Sequence, residues 1–228
     1  MIGIADRAPL AGLLSRPDLW RASELACVAE PSLPTGFPVL DAELPGGGWP
    51  TGKLTEILPA HEGIGELRLL SSALAGLSAA DKRLAWIAPP HLPYAPALAA
   101  AGIELARLII VRTRTPREAL WAVEQTLASR AFGAVLAWPG SVRYTELRRL
   151  QLAAEGSRVL AVLFRPKKAA AEPSPAPLRI ALASAADGLA VHILKRRGVP
   201  LAQPVLLSGR TSRDRHRARK ACPERTTV

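Results

Sequence analysis

The sequence predicts an α/β protein with a mainly parallel sheet flanked by helices and an antiparallel edge hairpin near the C-terminus. Apolar runs of strand length alternate along the chain with helical patterns, as expected for parallel strands joined by crossover helices. The first five runs carry few charges, which is typical of strands buried on both faces. The turn Ala-Ala-Asp-Gly between the last two runs favours a hairpin.

Seven strands are predicted, at 54–58, 83–89, 107–112, 134–138, 158–165, 178–184 and 189–196. The first five are expected to be buried on both faces. Around this core the sequence predicts a helical N-terminal arm over 1–32, a core domain over 33–205 and a basic tail over 206–228. The Pro/Ala-rich stretch 166–177 is predicted to be a mobile loop.

The clearest helix is predicted over 115–130. Thr115 is suited to cap it, Pro116 to occupy its first turn and Glu118 to complete a capping box. The expected buried stripe of this helix consists of Leu120, Val123 and Leu127. The Trp residues are expected mainly in the core, including Trp86, Trp121 and Trp138. Trp49, on a glycine-rich turn, is the one expected to be exposed as a partner contact.

Composition restricts the functional class. The 228 residues are 49% hydrophobic, enough for one globular domain with tails. The 30 Lys and Arg against 19 Asp and Glu give a net charge of +11, which favours nucleic acid or an acidic protein surface as a partner. Cys27 and Cys222 are too far apart to suggest a disulfide framework, and the four His residues have no metal-site spacing. A cytoplasmic protein without a signal peptide or membrane span is expected.

The segment from Leu54 to Leu70 has the layout of a phosphate-binding turn, with an apolar run, a glycine-bearing loop and then a helical pattern. A working loop of this kind closes backbone amides around phosphates and supplies a Lys to balance their charge. Here the loop has Gly65, Glu66 and Leu67 where Gly-Lys-Ser/Thr is expected. A carboxylate in that place repels a triphosphate.

Residues 33–165 resemble the ATP-binding core of bacterial RecA recombinases. The resemblance begins with Thr-Gly-Phe-Pro-Val-Leu-Asp-Ala-Glu-Leu-Pro-Gly-Gly-Gly-Trp-Pro-Thr-Gly-Lys-Leu-Thr-Glu-Ile-Leu, from Thr35 to Leu58, and continues in the order and spacing of the later strands and helices. It implies a RecA-like core.

The departures from the RecA pattern imply that the nucleotide site is degenerate. The altered loop positions are Pro59, Gly63, Gly65, Glu66 and Leu67. The family's water-activating Glu, its magnesium-associated Asp and its γ-phosphate-sensing Gln are matched by Pro90, Trp138 and Arg165. We therefore expect no catalytic residues, no cofactor, no metal and no enzymatic activity.

A RecA-like core with these losses is similar to the ImuA family of bacterial mutagenic repair cassettes and, more distantly, to SulA. The ImuA resemblance implies a non-catalytic accessory protein of an SOS-induced translesion synthesis complex. Its implied partners are an ImuB-like Y-family polymerase homologue and an error-prone DnaE-type polymerase subunit, with RecA and self-association left open. The alternatives are a SulA-like cell-division inhibitor that binds FtsZ and a divergent RecA-like ATPase.

Weak and sequence-independent DNA binding is also expected, because phosphate contacts by Lys and Arg carry most of such affinity. The alternative for each basic segment is an ordinary solvated surface, since the loop at 165–177 has no aromatic residue for base stacking. The candidates are Arg165, Lys167, Lys168, Arg196, Arg197, Arg213, Arg215, Arg217, Arg219 and Lys220.

Overall fold

A computed structural model describes residues 31–186 and 188–208. Its main element is an eight-stranded sheet. The strands of this sheet are β3 (Lys53–Pro59), β4 (Arg83–Ile87), β5 (Leu108–Val111), β6 (Phe132–Ala137), β7 (Leu160–Phe164), β8 (Leu178–Ala185), β9 (Gly188–Lys195) and β10 (Val205–Ser208). All seven predicted strands are present.

The strand order is β10-β9-β8-β3-β7-β6-β4-β5. The six strands from β8 to β5 in this order run parallel to one another. Strands β8 and β9 form an antiparallel hairpin, and β10 adds to β9, also antiparallel. The predicted α/β class, with its mainly parallel sheet and antiparallel C-terminal hairpin, is confirmed. Strand β10, which was not predicted, makes the outer edge and places residues 206–208 with the core.

Five α-helices are described: α1 (Pro38–Asp41), α2 (Glu66–Ala79), α3 (Ala95–Ala100), α4 (Pro116–Ser129) and α5 (Tyr144–Ala154). Helix α2 and the lead-in segment containing α1 cover one face of the sheet. Helices α4 and α5 cover the other face. No described helix has the length and apolar character needed to span a bilayer.

Helix α4 begins as predicted. The Thr115 side chain accepts a hydrogen bond from the Glu118 backbone N–H at 3.2 Å, and the Glu118 carboxylate accepts one from the Arg114 N–H. Its buried residues are Ala119, Val123 and Leu127. Leu120 is only half-buried, because Ala119 takes the sheet-facing position instead.

Strand β5 corrects the prediction that the first five strands are buried on both faces. It is the other edge of the sheet, pairs only with β4 among the described strands, and leaves 41% of Ile109 exposed. Its apolar run has the same sequence character as the central strands. The run therefore indicates a strand but not its position in the sheet.

Before the main sheet, β1 (Ser32–Leu33) and β2 (Trp49–Pro50) form a small antiparallel pair. This pairing places Ser32 with the core rather than with the predicted N-terminal arm, most of which lies outside the described residues. Trp49 is completely buried, so its predicted exposure is wrong. The glycine-rich turn folds back, and its Trp packs in the same cluster as Leu40 and Leu70.

A buried network of ion pairs links the central strand β3 to β8 and to the segment that follows β7. Glu56 on β3 is fully buried and faces Arg179 directly across to β8. One Glu56 oxygen accepts from Arg179 Nε at 2.7 Å, and the other accepts from Arg165 Nη1 at 3.1 Å and Ser174 Oγ at 2.9 Å. Two guanidinium groups thus neutralise one carboxylate where water is excluded.

The same network orders the stretch 166–177, so the prediction that it is mobile is wrong. Its first part is a 3-10 helix, Lys167–Ala171. Arg179 Nη2 donates to the Ala169 carbonyl at 2.6 Å, and Arg165 Nη2 donates to Glu172 at 2.7 Å. Ala169 and Ala176 are buried. Composition favours a flexible loop here, but long-range hydrogen bonds fix it.

Replacing Glu56 by Gln is expected to lower the free energy of unfolding by about 3–5 kcal/mol, because two buried guanidinium groups then lack a counter-charge. Urea denaturation measures the change. The control is Glu62→Gln, since the Glu62 side chain is 61% exposed and pairs only with His91. A Glu56→Gln loss no larger than the control's would show that the buried pairs do not stabilise the fold.

Candidate functional site

Most of the positions expected to form the degenerate nucleotide site line one cleft of about 410 Å³. It lies where parallel strands β3, β4, β6 and β7 end, the edge of an α/β sheet at which ligands usually bind. Of the sequence-predicted residues, those in its lining are Pro59, Glu66, Pro90, Trp138, Arg165 and Lys167. Gly63, Gly65 and Leu67 lie outside the lining, and Leu67 packs against the core of the α2 face.

The loop between β3 and α2 has two glycines in conformations that favour this residue. Gly63 has φ of 80° and Gly65 has φ of 105°, both in the left-handed region. Gly65 is the N-cap of α2. Because glycine has no side chain, it provides no side-chain cap for the first backbone amides of the helix. The loop therefore keeps the geometry of an anion-binding concavity, with amides available at a helix N-terminus.

The Glu66 carboxylate closes this concavity. One of its oxygens accepts a hydrogen bond from the Gly63 N–H at 3.0 Å, and the other accepts from the Gly65 N–H at 3.1 Å. Glu66 is the first residue of α2, where a negative charge also interacts favourably with the helix dipole. The sequence places a carboxylate at position 66 but does not indicate that it accepts hydrogen bonds from the amides of its own loop.

A phosphate group that enters this loop must displace the Glu66 carboxylate. The Gly63 and Gly65 amides are already bonded to a carboxylate, and the neighbouring Glu62 adds a second negative charge at the exposed rim. An incoming phosphate would meet like charge where it needs donors. No group of three or more His, Cys, Asp or Glu suited to a metal ion occurs among the described residues.

Aromatic side chains form the floor of the cleft. Trp138 stacks on Phe164 with ring centroids 4.6 Å apart and planes inclined by 8°. Its centroid is 5.9 Å from that of Trp86 at a tilted angle. Position 138, at the end of β6, thus belongs to a packed aromatic cluster, which offers no ligand to a hard cation.

The backbone adopts an unfavourable conformation just after β4 ends. Ala88 has φ of 53°, a left-handed conformation that a residue with a Cβ adopts at a cost of about 1–2 kcal/mol. Its N–H bonds to the Val111 carbonyl at 2.8 Å, which holds the turn in place. Exposed Pro90 follows, and its side chain has no group that transfers a proton.

Arg165 is buried, so its prediction as a DNA-binding residue is wrong. Its side chain is only 1% exposed, and its guanidinium binds Glu56, Glu172 and the Val142 carbonyl. Arg196 is also engaged, since it pairs with Glu43 at 2.9 Å and its Nε donates to the Val199 carbonyl at 2.7 Å. Both arginines stabilise the fold.

The other candidates divide into two groups. Lys167, Lys168 and Arg197 are exposed, and a DNA contact by them stays a prediction. The remaining candidates, Arg213, Arg215, Arg217, Arg219 and Lys220, lie outside the described residues.

Comparison with known proteins gives one curated relative. Over 108 residues the chain is 32% identical to a protein of Edwardsiella piscicida named "Cell division inhibitor SulA". The match covers 46% of this chain and 64% of that protein, so the chain spans less than two thirds of its relative's length. No protein-family model matches the chain. This match supports the resemblance to SulA and does not support a resemblance to ImuA specifically.

Replacing Glu66 by Ala is expected to lower the free energy of unfolding by about 1–2 kcal/mol, because two loop amides lose a charged acceptor at a helix start. Glu66→Gln keeps one acceptor oxygen and is expected to lose less. The matched control is Glu62→Ala in the same loop, which removes a carboxylate that accepts no backbone amide in the described structure. Equal losses for Glu66→Ala and Glu62→Ala in urea denaturation would contradict the closed loop.

The wild-type chain is expected to hydrolyse no ATP above background and to show no rise in melting temperature with ATP and Mg²⁺. A ligand at one hundred times its dissociation constant stabilises a folded protein by about 2.7 kcal/mol, which a thermal melt detects. RecA serves as the positive control. A melting shift in this chain comparable to that of RecA would show that the Glu66 carboxylate yields to phosphate.

Proposed function

We propose that this protein is a non-catalytic interaction protein of the bacterial SOS response, built on a RecA-like core whose nucleotide site is closed from within. The observation that carries the proposal is the Glu66 carboxylate on the Gly63 and Gly65 amides. A side chain that satisfies the loop removes the need for phosphate while keeping the fold around it. The packed Trp138 and the buried Arg165 support the same proposal.

A closed nucleotide site is compatible with a protein that acts by binding partners through its surface rather than by catalysis. RecA-type proteins use nucleotide to select between assembly states, whereas a core with a built-in anion stays in one state. A protein that is always in its binding-competent state binds without the affinity loss that a mixed population imposes. Partner binding is therefore proposed to be independent of ATP and ADP.

Translesion synthesis is the first proposed setting. The lead-in from Thr35 to Leu58 and the altered loop are the features that resemble ImuA. In this setting the chain holds an ImuB-like polymerase homologue and an error-prone DnaE-type subunit together. The segment that precedes β1 is proposed as the arm that docks onto a neighbouring protein, in the way that an amphipathic segment docks into a groove.

Inhibition of cell division is the second proposed setting, and the identity to a SulA protein over 108 residues favours it. In this setting the partner is FtsZ, and the same closed core presents a surface to it. Both settings belong to the SOS response. They differ in the protein that the chain retains.

A DNA contact is a secondary part of the proposal. Lys167 and Lys168 lie exposed on the 3-10 helix that follows β7, next to the cleft. Few phosphate contacts give weak affinity that falls as salt rises, because the release of each counterion into a more concentrated salt solution gains less entropy. Such binding would position the complex without selecting a sequence.

Co-purification of the affinity-tagged chain from DNA-damaged cells separates the two settings. Retention of the ImuB-like and DnaE-type proteins is expected in the translesion setting, and retention of FtsZ in the division setting. The amount retained is expected to be the same with ATP, with ADP and after nucleotide removal, because the loop binds its own carboxylate.

A tagged unrelated protein of similar net charge controls for retention through the +11 charge of the chain. Retention that requires ATP would overturn the closed-site proposal. Retention of none of these proteins above the control would overturn both settings.

A further inference from the structure

A groove of about 670 Å³ lies on the face of the molecule covered by α4 and α5. The first turns of α4 form one wall, and α5 with Ser141 of the preceding loop forms the other. It is separate from the cleft at the strand ends, although both adjoin the loop 139–143. No motif of the degenerate nucleotide site contributes to it.

Trp121 is the main apolar side chain of this groove, and 64% of it is exposed. It points away from the sheet because it lies two residues from both Ala119 and Val123, which are buried on the opposite side of α4. An exposed Trp contributes nothing to the core. Trp and Arg are the residues most enriched among those that dominate binding energy at protein interfaces.

Three arginines surround Trp121: Arg117, Arg143 and Arg149 line the groove with it. The nearby carboxylates are already engaged within the chain, Glu118 with the Arg114 N–H, Glu124 with Arg149 and Glu146 with the Arg143 N–H. The exposed guanidinium of Arg117 lies one helical turn before Trp121. Because Arg149 is neutralised by Glu124, the guanidinium groups that face an occupant are those of Arg117 on one wall and Arg143 on the other. The groove thus combines an apolar anchor point with one arginine on each wall that no described carboxylate neutralises.

We propose that this groove docks an acidic protein segment that carries an apolar side chain. Charge complementarity selects the occupant, since carboxylates of the segment pair with the arginines while its apolar residue packs on Trp121. A nucleic acid strand fits less well, because Trp121 is the single aromatic side chain among the described residues that line the groove, so that successive bases have no second ring on which to stack. The arrangement favours a peptide, in which one apolar residue suffices to contact Trp121.

The buried network stabilises one wall of the groove. Arg165 Nη2 donates to the Val142 carbonyl at 3.1 Å, which fixes the loop between Ser141 and Arg143. The groove is therefore preformed, and an occupant meets a wall that is already ordered. The inference does not depend on the proposed SOS function, because it rests on the charge and shape of this surface alone.

The test uses the full chain and three fluorescein-labelled peptides, each with a Leu, Phe or Trp flanked by three Glu on either side. Fluorescence anisotropy gives the affinity, and the indole N–H signal of Trp121, assigned with Trp121→Phe, reports the place of binding. We expect at least one acidic peptide to bind and to shift that signal. We expect Arg117→Glu and Trp121→Ala each to weaken binding at least tenfold.

Matched controls separate the groove from general charge and hydrophobicity. Arg158→Glu reverses an exposed arginine outside the groove, and Leu206→Ala removes an apolar side chain that is 66% exposed on β10. Both are expected to leave the affinity within twofold, and thermal melts check that all variants fold. The proposal is overturned if no acidic peptide binds at 1 mM, if Arg158→Glu weakens binding as much as Arg117→Glu, or if single-stranded DNA binds the groove more tightly than every peptide.

Discussion

The structure depends on one buried carboxylate. Glu56 lies on the strand between β7 and β8 with no exposed surface, and it is neutralised by Arg165 from one neighbour and Arg179 from the other. A charge in that place is tolerated only when its partners are held in register, so the pairing fixes how β7 and β8 lie against β3. The two arginines then use their remaining donors to hold the loops at 139–143 and 166–177.

The strand-end cleft follows from this constraint. The Arg165 guanidinium lines the cleft, yet it faces the interior and pairs with Glu56. Glu66 at the other side of the cleft binds the amides of its own loop. The charged groups of Arg165 and Glu66 are thus engaged within the chain rather than directed toward a ligand.

Much of the fold could be predicted from sequence because apolar period and cap residues are local signals, as Thr115 and the strand at 134–138 show. The unusual residues of the loop between β3 and α2 and of the first turn of α2, such as Glu66, were also evident from the sequence. The ion pairs of Glu56 were not, since their partners lie more than 100 residues away along the chain. Trp121 was assigned to the core, although the α4 stripe through Val123 and Leu127 already placed it on the opposite face of the helix.

Strand β5 has a consequence for the behaviour of the isolated chain. Its outer side has no pairing partner among the described strands, and Ile109 and Leu105 are each 41% exposed beside it. An open strand edge is a template for another extended chain and so a starting point for aggregation. The strand is only four residues long and is followed by exposed Arg112, whose charge repels a second copy of the same edge. Salt screens that repulsion, so the solubility of the purified chain should decrease as ionic strength rises.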